Sequence, residues 1–375
     1  MRRLLLVGAG HAHAKVLFDL AADNAGDIEV TMVSPEPLAP YSGMVPGWMA
    51  GHYSWDECCI DFAHLCREAN ATLRIDRADG IDLAGSRLQL ASGASIAYDV
   101  LSIDIGSTSK PPGVASSRLL PMRPLAALKQ RWDLLRGAVG SLPAGATFRV
   151  VMIGGGAAGT ESMLAVRHQL AQWAPRVAFE YVLATQGPAL LPQLADGAGR
   201  RIAAHLRQHG VRVVHSFTAE RIEEAGVCSA DGRVLAADVV LWATGAEAHD
   251  WPAASGLAHD DSFIKVDHTL RSVSHPNVFA AGDCASFEQP LPKAGVFAVR
   301  MGPILSHNVR AALRGGELKT FTPQRRYLVL LGTGDAHAVA AWGPFSYQGR
   351  WVWRWKQFLD RTFVHRYNRA SDHGA

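Results

Sequence analysis

An α/β fold with two Rossmann-like dinucleotide-binding domains is predicted by a pattern that occurs twice in the 375-residue sequence. The first observation is a short apolar strand, a glycine-rich turn and a helix-compatible run. It appears at residues 4–7 followed by Gly8-Ala9-Gly10-His11-Ala12-His13, and again at residues 149–153 followed by Gly154-Gly155-Gly156-Ala157-Ala158-Gly159. The second is a buried-looking strand between an aspartate and a glycine seven positions on, at residues 98–106 and 237–245. Each glycine turn is answered by its strand roughly ninety residues later, the layout of two nucleotide-binding units of similar build.

The elements follow in order. Residues 4–7 read as a strand and not as a signal peptide, because Gly8 and His11 interrupt the apolar run after four residues. Residues 30–33 and 181–184 supply the second strand of each unit. Residues 107–117, with Pro111-Pro112-Gly113, and residues 142–145 read as crossings that bracket the second unit. After Gly245 comes a loop rich in Asp and His, then a strand ending in a tight turn at 277–285 and a helix over about 293–314. Two short strands, 327–331 and 337–342, precede a basic, aromatic tail.

Composition excludes several classes. At 48% hydrophobic and 19% charged residues the chain is neither disordered nor a coiled coil. A net charge of +3 does not indicate a nucleic-acid partner. Residues 350–369 concentrate six basic side chains and one acid. No run approaches the ~18 apolar residues of a membrane span, so any membrane contact is peripheral. Cys58, Cys59, Cys66, Cys228 and Cys284 have no CxxC spacing, which argues against zinc and against a secreted disulfide framework and for a cytoplasmic location. His11 and His13 stand two apart, a spacing that does not face one side of a helix, so no metal site is expected.

A strand, a GxGxxG turn and a helix bind a pyrophosphate because glycines let backbone N–H groups approach the anion and the helix N-terminus adds a positive dipole end. The second turn satisfies the pattern in full. The first has Gly8 and Gly10, but His13 stands at the third glycine position, which predicts looser or differently angled packing of helix on strand.

Gly8-Ala9-Gly10, residues 154–161, Ala243-Thr244-Gly245 and Phe279-Ala280-Ala281-Gly282-Asp283 together resemble the ordered motif set of the pyridine nucleotide-disulfide oxidoreductase superfamily. The pattern is similar to type II NADH dehydrogenases and to the flavoprotein region fused to selenide, water dikinases; residues 40–47 and 292–300 resemble that fused branch in particular. The resemblance covers nearly the whole chain. It implies a discontinuous FAD-binding domain at 1–122 and 237–318, an NAD(P)-type domain at 123–236, and a C-terminal region at 319–375 with an amphipathic helix.

The resemblance further implies FAD over Gly8, Gly10 and His11, with Gly106, Gly282 and Asp283 near its ribityl and phosphate groups. Lys293, Ala294 and Gly295 would meet the flavin's pyrimidine edge, where negative charge develops on reduction. NAD(P)H is the implied co-substrate over Gly154, Gly156, Gly159 and Gly245, with Glu161 at the nicotinamide face. The family's ribose-binding acid is missing twice. Ser34 ends the second strand of the first unit, with Glu36 as the only substitute, and Thr185 stands at the equivalent place in the second. Tyr41, Met44 and Pro46 are candidates for the cofactor wall; Glu161, Lys293 and Tyr41 are the candidate catalytic residues.

No CxxxxC pair is present, so electrons are expected to leave the flavin directly. The expected function is hydride transfer from NAD(P)H to FAD and on to a quinone or similar small acceptor, with a selenium- or sulfur-metabolism reductase and a flavin redox sensor as alternatives. In the tail, Trp351, Trp355, Phe358, Leu359, Thr362 and Phe363 fall on one helical side, and Arg350, Arg354, Gln357, Asp360, Arg361 and His365 on the other; Trp353 and Val364 break the pattern. That side suits an anionic membrane surface, at the cytoplasmic face of the inner membrane, and equally a helix docked on the body or in a homodimer.

Overall fold

The computed structural model describes residues 1–23, 27–112 and 117–369; Gly113 of the expected first crossing lies outside them. Two five-stranded sheets, each entirely parallel, organise the chain. In the first, β1 (Arg2–Val7) is flanked by β2 (Ile28–Ser34) and then β3 (Thr72–Ile75) on one side, and by β4 (Val100–Ile103) and then a late strand, Val278–Ala280, on the other. Leu4, Leu5, Leu6 and Val7 are buried on both faces of the sheet, which is why the strand reads as a continuous apolar run. Helix α1 (His11–Asp23) follows the first glycine turn and buries Ala12, Val16, Leu17 and Leu20 against it.

The second sheet repeats the order of the first four of these strands and takes its fifth from before its glycine-turn strand instead of after the answering strand. After β5 (Leu119–Pro121), β6 (Thr147–Ile153) takes the central place and leads through the second glycine turn into α2 (Ala157–Trp173). It is followed outward by β7 (Ala178–Ala184) and β8 (Val211–Val214), with β9 (Val239–Trp242) and then β5 on its other side. Each unit also inserts a three-stranded antiparallel sheet between its third strand and its answering strand, at 78–97 and 219–236.

The expected boundaries at 122 and 237 need correction. Residues 119–121 and 239–242, both assigned to the first unit from sequence, hydrogen-bond into the second sheet. The reason is the repeat itself: β9 pairs with its own glycine-turn strand β6, as β4 pairs with β1. The chain returns to the first sheet only with β10 (Val278–Ala280), and α3 (Gly295–Arg314) then packs against α1.

The C-terminal region is an antiparallel sheet of β11 (Leu328–Gly332), β12 (Ala338–Trp342) and β13 (Phe345–Gly349), ending in α4 (Arg350–Asn368). The third of these strands has no counterpart in the sequence reading. Among the described residues, no helix is long and apolar enough to cross a membrane.

Helix α4 docks by neither of the two sides that the sequence pattern sets apart. Val352, Trp353, Lys356, Asp360, Val364 and Tyr367 are buried, whereas Trp351 (55%), Trp355 (39%), Phe358 (67%) and Leu359 (39%) are exposed. Trp353 and Val364, which break the expected pattern, mark the docked face, and Asp360, expected on the polar side, is buried with them. A buried i,i+4 ion pair, Lys356 Nζ to Asp360 Oδ2 at 2.9 Å, lets the polar residues enter.

Candidate functional site

The first glycine turn is held by β4. Gly8 has φ +95° and Gly282 φ +70°, the left-handed region that favours glycine. A Cβ at Gly8 would overlap the Asp104 backbone, and one at Gly10 the Asp104 carboxylate. Asp104 is 2% exposed, and its Oδ2 accepts from the N–H of Ala12 (2.8 Å) and His13 (3.2 Å) in the first turn of α1. Burial pushes its carboxyl up to about 7, against the pull of those two N–H groups.

His13 is buried at the third glycine position. Its buried ring lies at hydrogen-bond distance from the Gly8 carbonyl (Nδ1, 2.7 Å) and from Ser102 Oγ on β4 (Nε2, 2.8 Å), filling the space that a small residue on the strand leaves. His11 turns elsewhere, toward the rings of Tyr41 (5.3 Å) and Phe363 (5.9 Å). Burial lowers both imidazoles to about 4, so they are neutral at pH 7.

Around this turn, Asp283 accepts from Ser107 Oγ at 3.0 Å and lies 3.6 Å from the Arg123 guanidinium. Gly106 has φ +66°, with open space where a Cβ would stand. A Cβ on Gly295, the first residue of α3, would meet Ser42 Oγ at 3.0 Å and His11 Cε1 at 4.0 Å, so the turn, the Tyr41 loop and the α3 N-terminus converge. Ala294 is the N-cap of α3. Lys293 is not at the rim as a free charge: its Nζ donates to the Ala285 carbonyl (2.6 Å) and lies 3.8 Å from the centre of the Phe263 ring. Ser34 is buried and spends its hydroxyl on the Glu36 carbonyl, while Glu36 itself is exposed.

At the second turn Gly154 has φ +129°, and a Cβ on Gly159 would overlap the Gly154 carbonyl, which explains the third glycine there. Gly156 is open, with nothing nearer to a Cβ than Gln193 Nε2 at 4.0 Å. Thr185 is buried, its hydroxyl against Gly155. Gly245 also faces open space. These cradles fit a dinucleotide at each turn: backbone is exposed where side chains would obstruct an anion.

Glu161, on α2, is buried where three parts of the chain meet. Its Oε1 accepts from Gly332 N at 2.7 Å and lies 3.8 Å from Lys356 Nζ, which also donates to the Gly43 carbonyl (2.6 Å). Burial raises the Glu161 carboxyl to about 7 in spite of the ammonium. Burial also opposes the charge on Lys356, but the carboxylates of Glu161 and Asp360 outweigh it and hold the ammonium above its ordinary pKa. The Tyr41 ring lies tilted against Phe363 of α4, with centroids 4.5 Å apart, and burial pushes its phenol up to about 12. Lys356, Asp360 and Phe363 are absent from the sequence-derived site because the outward stripe dominates the helical pattern. The signal available was the second face carrying Trp353, Lys356, Asp360 and Val364. Asp104 was also missed, although the repeat offers it directly: the second copy has Ala243 at the matching position.

The five cysteines are free and buried. Burial raises Cys59, Cys66 and Cys284 to about 12 and Cys58 further, so none is a thiolate at neutral pH.

Two parallel sheets that share the order of four strands, each opening a glycine turn onto a helix N-terminus, are the build of a protein with two dinucleotide-binding units. The pyridine nucleotide-disulphide oxidoreductase family model matches residues 2–302, and the chain belongs to that family. It is an FAD-dependent enzyme that uses NAD(P)H. The chain is 33% identical over 225 residues to the ferredoxin–NAD(+) reductase component of a biphenyl dioxygenase system from Paraburkholderia xenovorans, covering 58% of this chain and about half (51%) of that protein. An NADH dehydrogenase-like protein of Mycobacterium tuberculosis is 27% identical over 300 residues, 76% of this chain and 73% of its own. In fold the chain is similar to the sulfide:quinone oxidoreductase of Aquifex aeolicus (TM-score 0.79, 16% identity, 98% and 91% of the chains covered). It is similar as well to NDH2 of Plasmodium falciparum (TM-score 0.77, 13% identity, 98% and 99% covered).

Proposed function

We propose that this enzyme takes a hydride from NAD(P)H and delivers the electrons to a quinone at a membrane surface, bound peripherally to the cytoplasmic leaflet through α4. The observation that carries this reading is the two-sided construction of α4. Its inner face brings Lys356, Asp360 and Phe363 to Glu161 and Tyr41, and its outer face leaves Trp351, Trp355, Phe358 and Leu359 uncovered. Trp342, Phe345 and Tyr347 continue that surface on the adjoining sheet, and Arg350, Arg354 and Arg361 flank it. Aromatic side chains interleaved with arginine suit an anionic bilayer surface, where each basic residue contributes about 1 kcal/mol. An apolar acceptor held in that bilayer would then lie close to the helix that closes the site.

When bound, FAD supplies the hydride and electron chemistry. Gly8, Gly10 and Gly282 would hold its phosphates and ribityl chain with Asp283, and Gly154, Gly156 and Gly159 would hold the nicotinamide dinucleotide. Glu161 contributes a buried carboxyl whose raised pKa suits the exchange of a proton near neutrality, with Lys356 setting its charge state. Tyr41 and Phe363 wall the His11 side of the site with apolar rings.

The test uses the full-length holoprotein and a Trp351→Gln/Trp355→Gln/Phe358→Gln variant, which alters exposed side chains only. The variant is expected to lose binding to anionic vesicles and to reduce a long-tailed quinone at least tenfold more slowly, with flavin content and reduction of a soluble acceptor unchanged. Wild-type protein that ignores anionic vesicles at low salt would overturn the membrane reading.

A further inference from the structure

On the proposed reading that the first glycine turn holds the flavin's pyrophosphate, on which this inference rests, the carboxyl of Asp104 lies against that turn, a place where a negative charge is costly. It is wedged between two glycine loops. Its Oδ2 accepts from Ala12 and His13, and its Oδ1 lies 2.6 Å from where a Cβ on Gly282 would stand, while the whole carboxylate would overlap a Cβ on Gly10. Ala243 occupies the matching position of the second unit, so the glycine-turn architecture itself does not require an acid there.

The groups facing Asp104 supply no counter-charge. From α1, His11 and His13 are held neutral by burial. From the 282–284 turn come Asp283, a second acid already engaged by Ser107 and Arg123, and Cys284, whose buried thiol is neutral. Lys293, behind that turn, is committed to the Ala285 carbonyl. Among the described residues no cation pairs with Asp104, and the influences on it besides burial are the two N–H groups and the repulsion from Asp283.

We propose that Asp104 is protonated in the FAD-bound protein, so that loading the cofactor takes up one proton at this carboxyl. With the proton on, one oxygen still accepts from the α1 amides. The other gains an O–H that can donate to a phosphate oxygen, in place of a lone pair that would repel it. The proton comes from solvent and returns to it when FAD leaves; no other bond is made or broken. Burial already lifts this carboxyl to about 7 before an anion is added. Below that pH the site is protonated in advance and uptake falls to zero; above it, each pH unit weakens FAD binding about tenfold.

The experiment has two arms on full-length protein. FAD release from holoprotein on dilution, followed by flavin fluorescence from pH 6 to 9, gives Kd against pH. Calorimetric reloading of the stripped protein at pH 8, in two buffers of different ionisation enthalpy, gives the protons taken up per FAD. The wild type is expected to take up close to one proton at pH 8, with Kd rising about tenfold per unit above neutrality. Asp104→Asn, a neutral isostere that keeps an acceptor for the α1 amides and a donor for the phosphate, is expected to bind FAD with a flat Kd and no uptake. A flat wild-type profile with no uptake, or an Asp104→Asn profile as steep as the wild type, overturns the proposal. If the variant fails to load, the wild-type calorimetry still decides.

Discussion

The two glycine turns sit at the same place in two sheets that share the order of four strands, yet they are closed by different chemistry. In the second unit the third glycine lets α2 press against Gly154, the matching strand offers only the methyl of Ala243, and Gly156 faces open space. In the first unit His13 replaces that glycine and bonds the Gly8 carbonyl and Ser102, while the Asp104 carboxylate fills the room beneath Gly10. The first turn is therefore a polar, hydrogen-bonded plug under its anion site, and the second a bare backbone cradle. The difference teaches that a glycine fingerprint specifies an anion-binding backbone but not its electrostatic setting, which side chains from a strand ninety or so residues away decide.

The largest contrast should come from adding a side chain to each turn. Gly10→Val is expected to abolish FAD retention, because its Cβ has nowhere to go but into the Asp104 carboxylate, whereas Gly156→Ala should keep full flavin and raise the KM for NAD(P)H by a few-fold. Flavin absorbance per protein and steady-state kinetics measure both; equal flavin loss in the two variants would erase the distinction.

Next in size is the buried ion cluster that ties the second unit to α4. Lys356→Met leaves Glu161 and Asp360 without their cation and should lower stability by roughly 3–5 kcal/mol. A Lys356→Met/Glu161→Gln/Asp360→Asn variant should regain most of that loss in urea melts. No recovery would mean that the lysine acts by packing alone.

A smaller effect is expected from restoring the missing fingerprint residue. His13→Gly removes a buried ring and leaves Ser102 unpaired, so it should destabilise the protein by about 2–4 kcal/mol in spite of matching the pattern better. The pH dependence has a definite sign. The folded-state pKa of His13 is depressed from 6.5 to about 4, so its contribution is full above pH 6.5 and is lost as the pH falls through 4. The wild type should lose stability across that window, and the variant should lack this share of the loss.

The smallest change concerns the dinucleotide. Thr185 offers neither a carboxylate for a ribose 2′-hydroxyl nor a cation for a 2′-phosphate, so native discrimination should be weak. Thr185→Glu should then favour NADH by several-fold in kcat/KM ratio. Strong native selectivity would assign that role to another residue.

Much of the architecture was legible because it rests on local, repeated patterns. A strand buried on both faces must be a continuous apolar run, and a chain crossing close to backbone must use glycine. The doubled strand–turn–helix and the doubled answering strand therefore determined two parallel sheets and two glycine turns from the sequence alone. What only the tertiary structure decided are the contacts between distant segments. The outward aromatic stripe of α4 is the stronger helical pattern, but the helix docks by its weaker face, because Lys356 finds Glu161, Asp360 and the Gly43 carbonyl together and so can be buried. Asp104 matters only because the fold sets it between Gly10 and Gly282. Periodicity reports which residues can share a face; whether a charge on that face is buried depends on partners supplied from elsewhere in the chain.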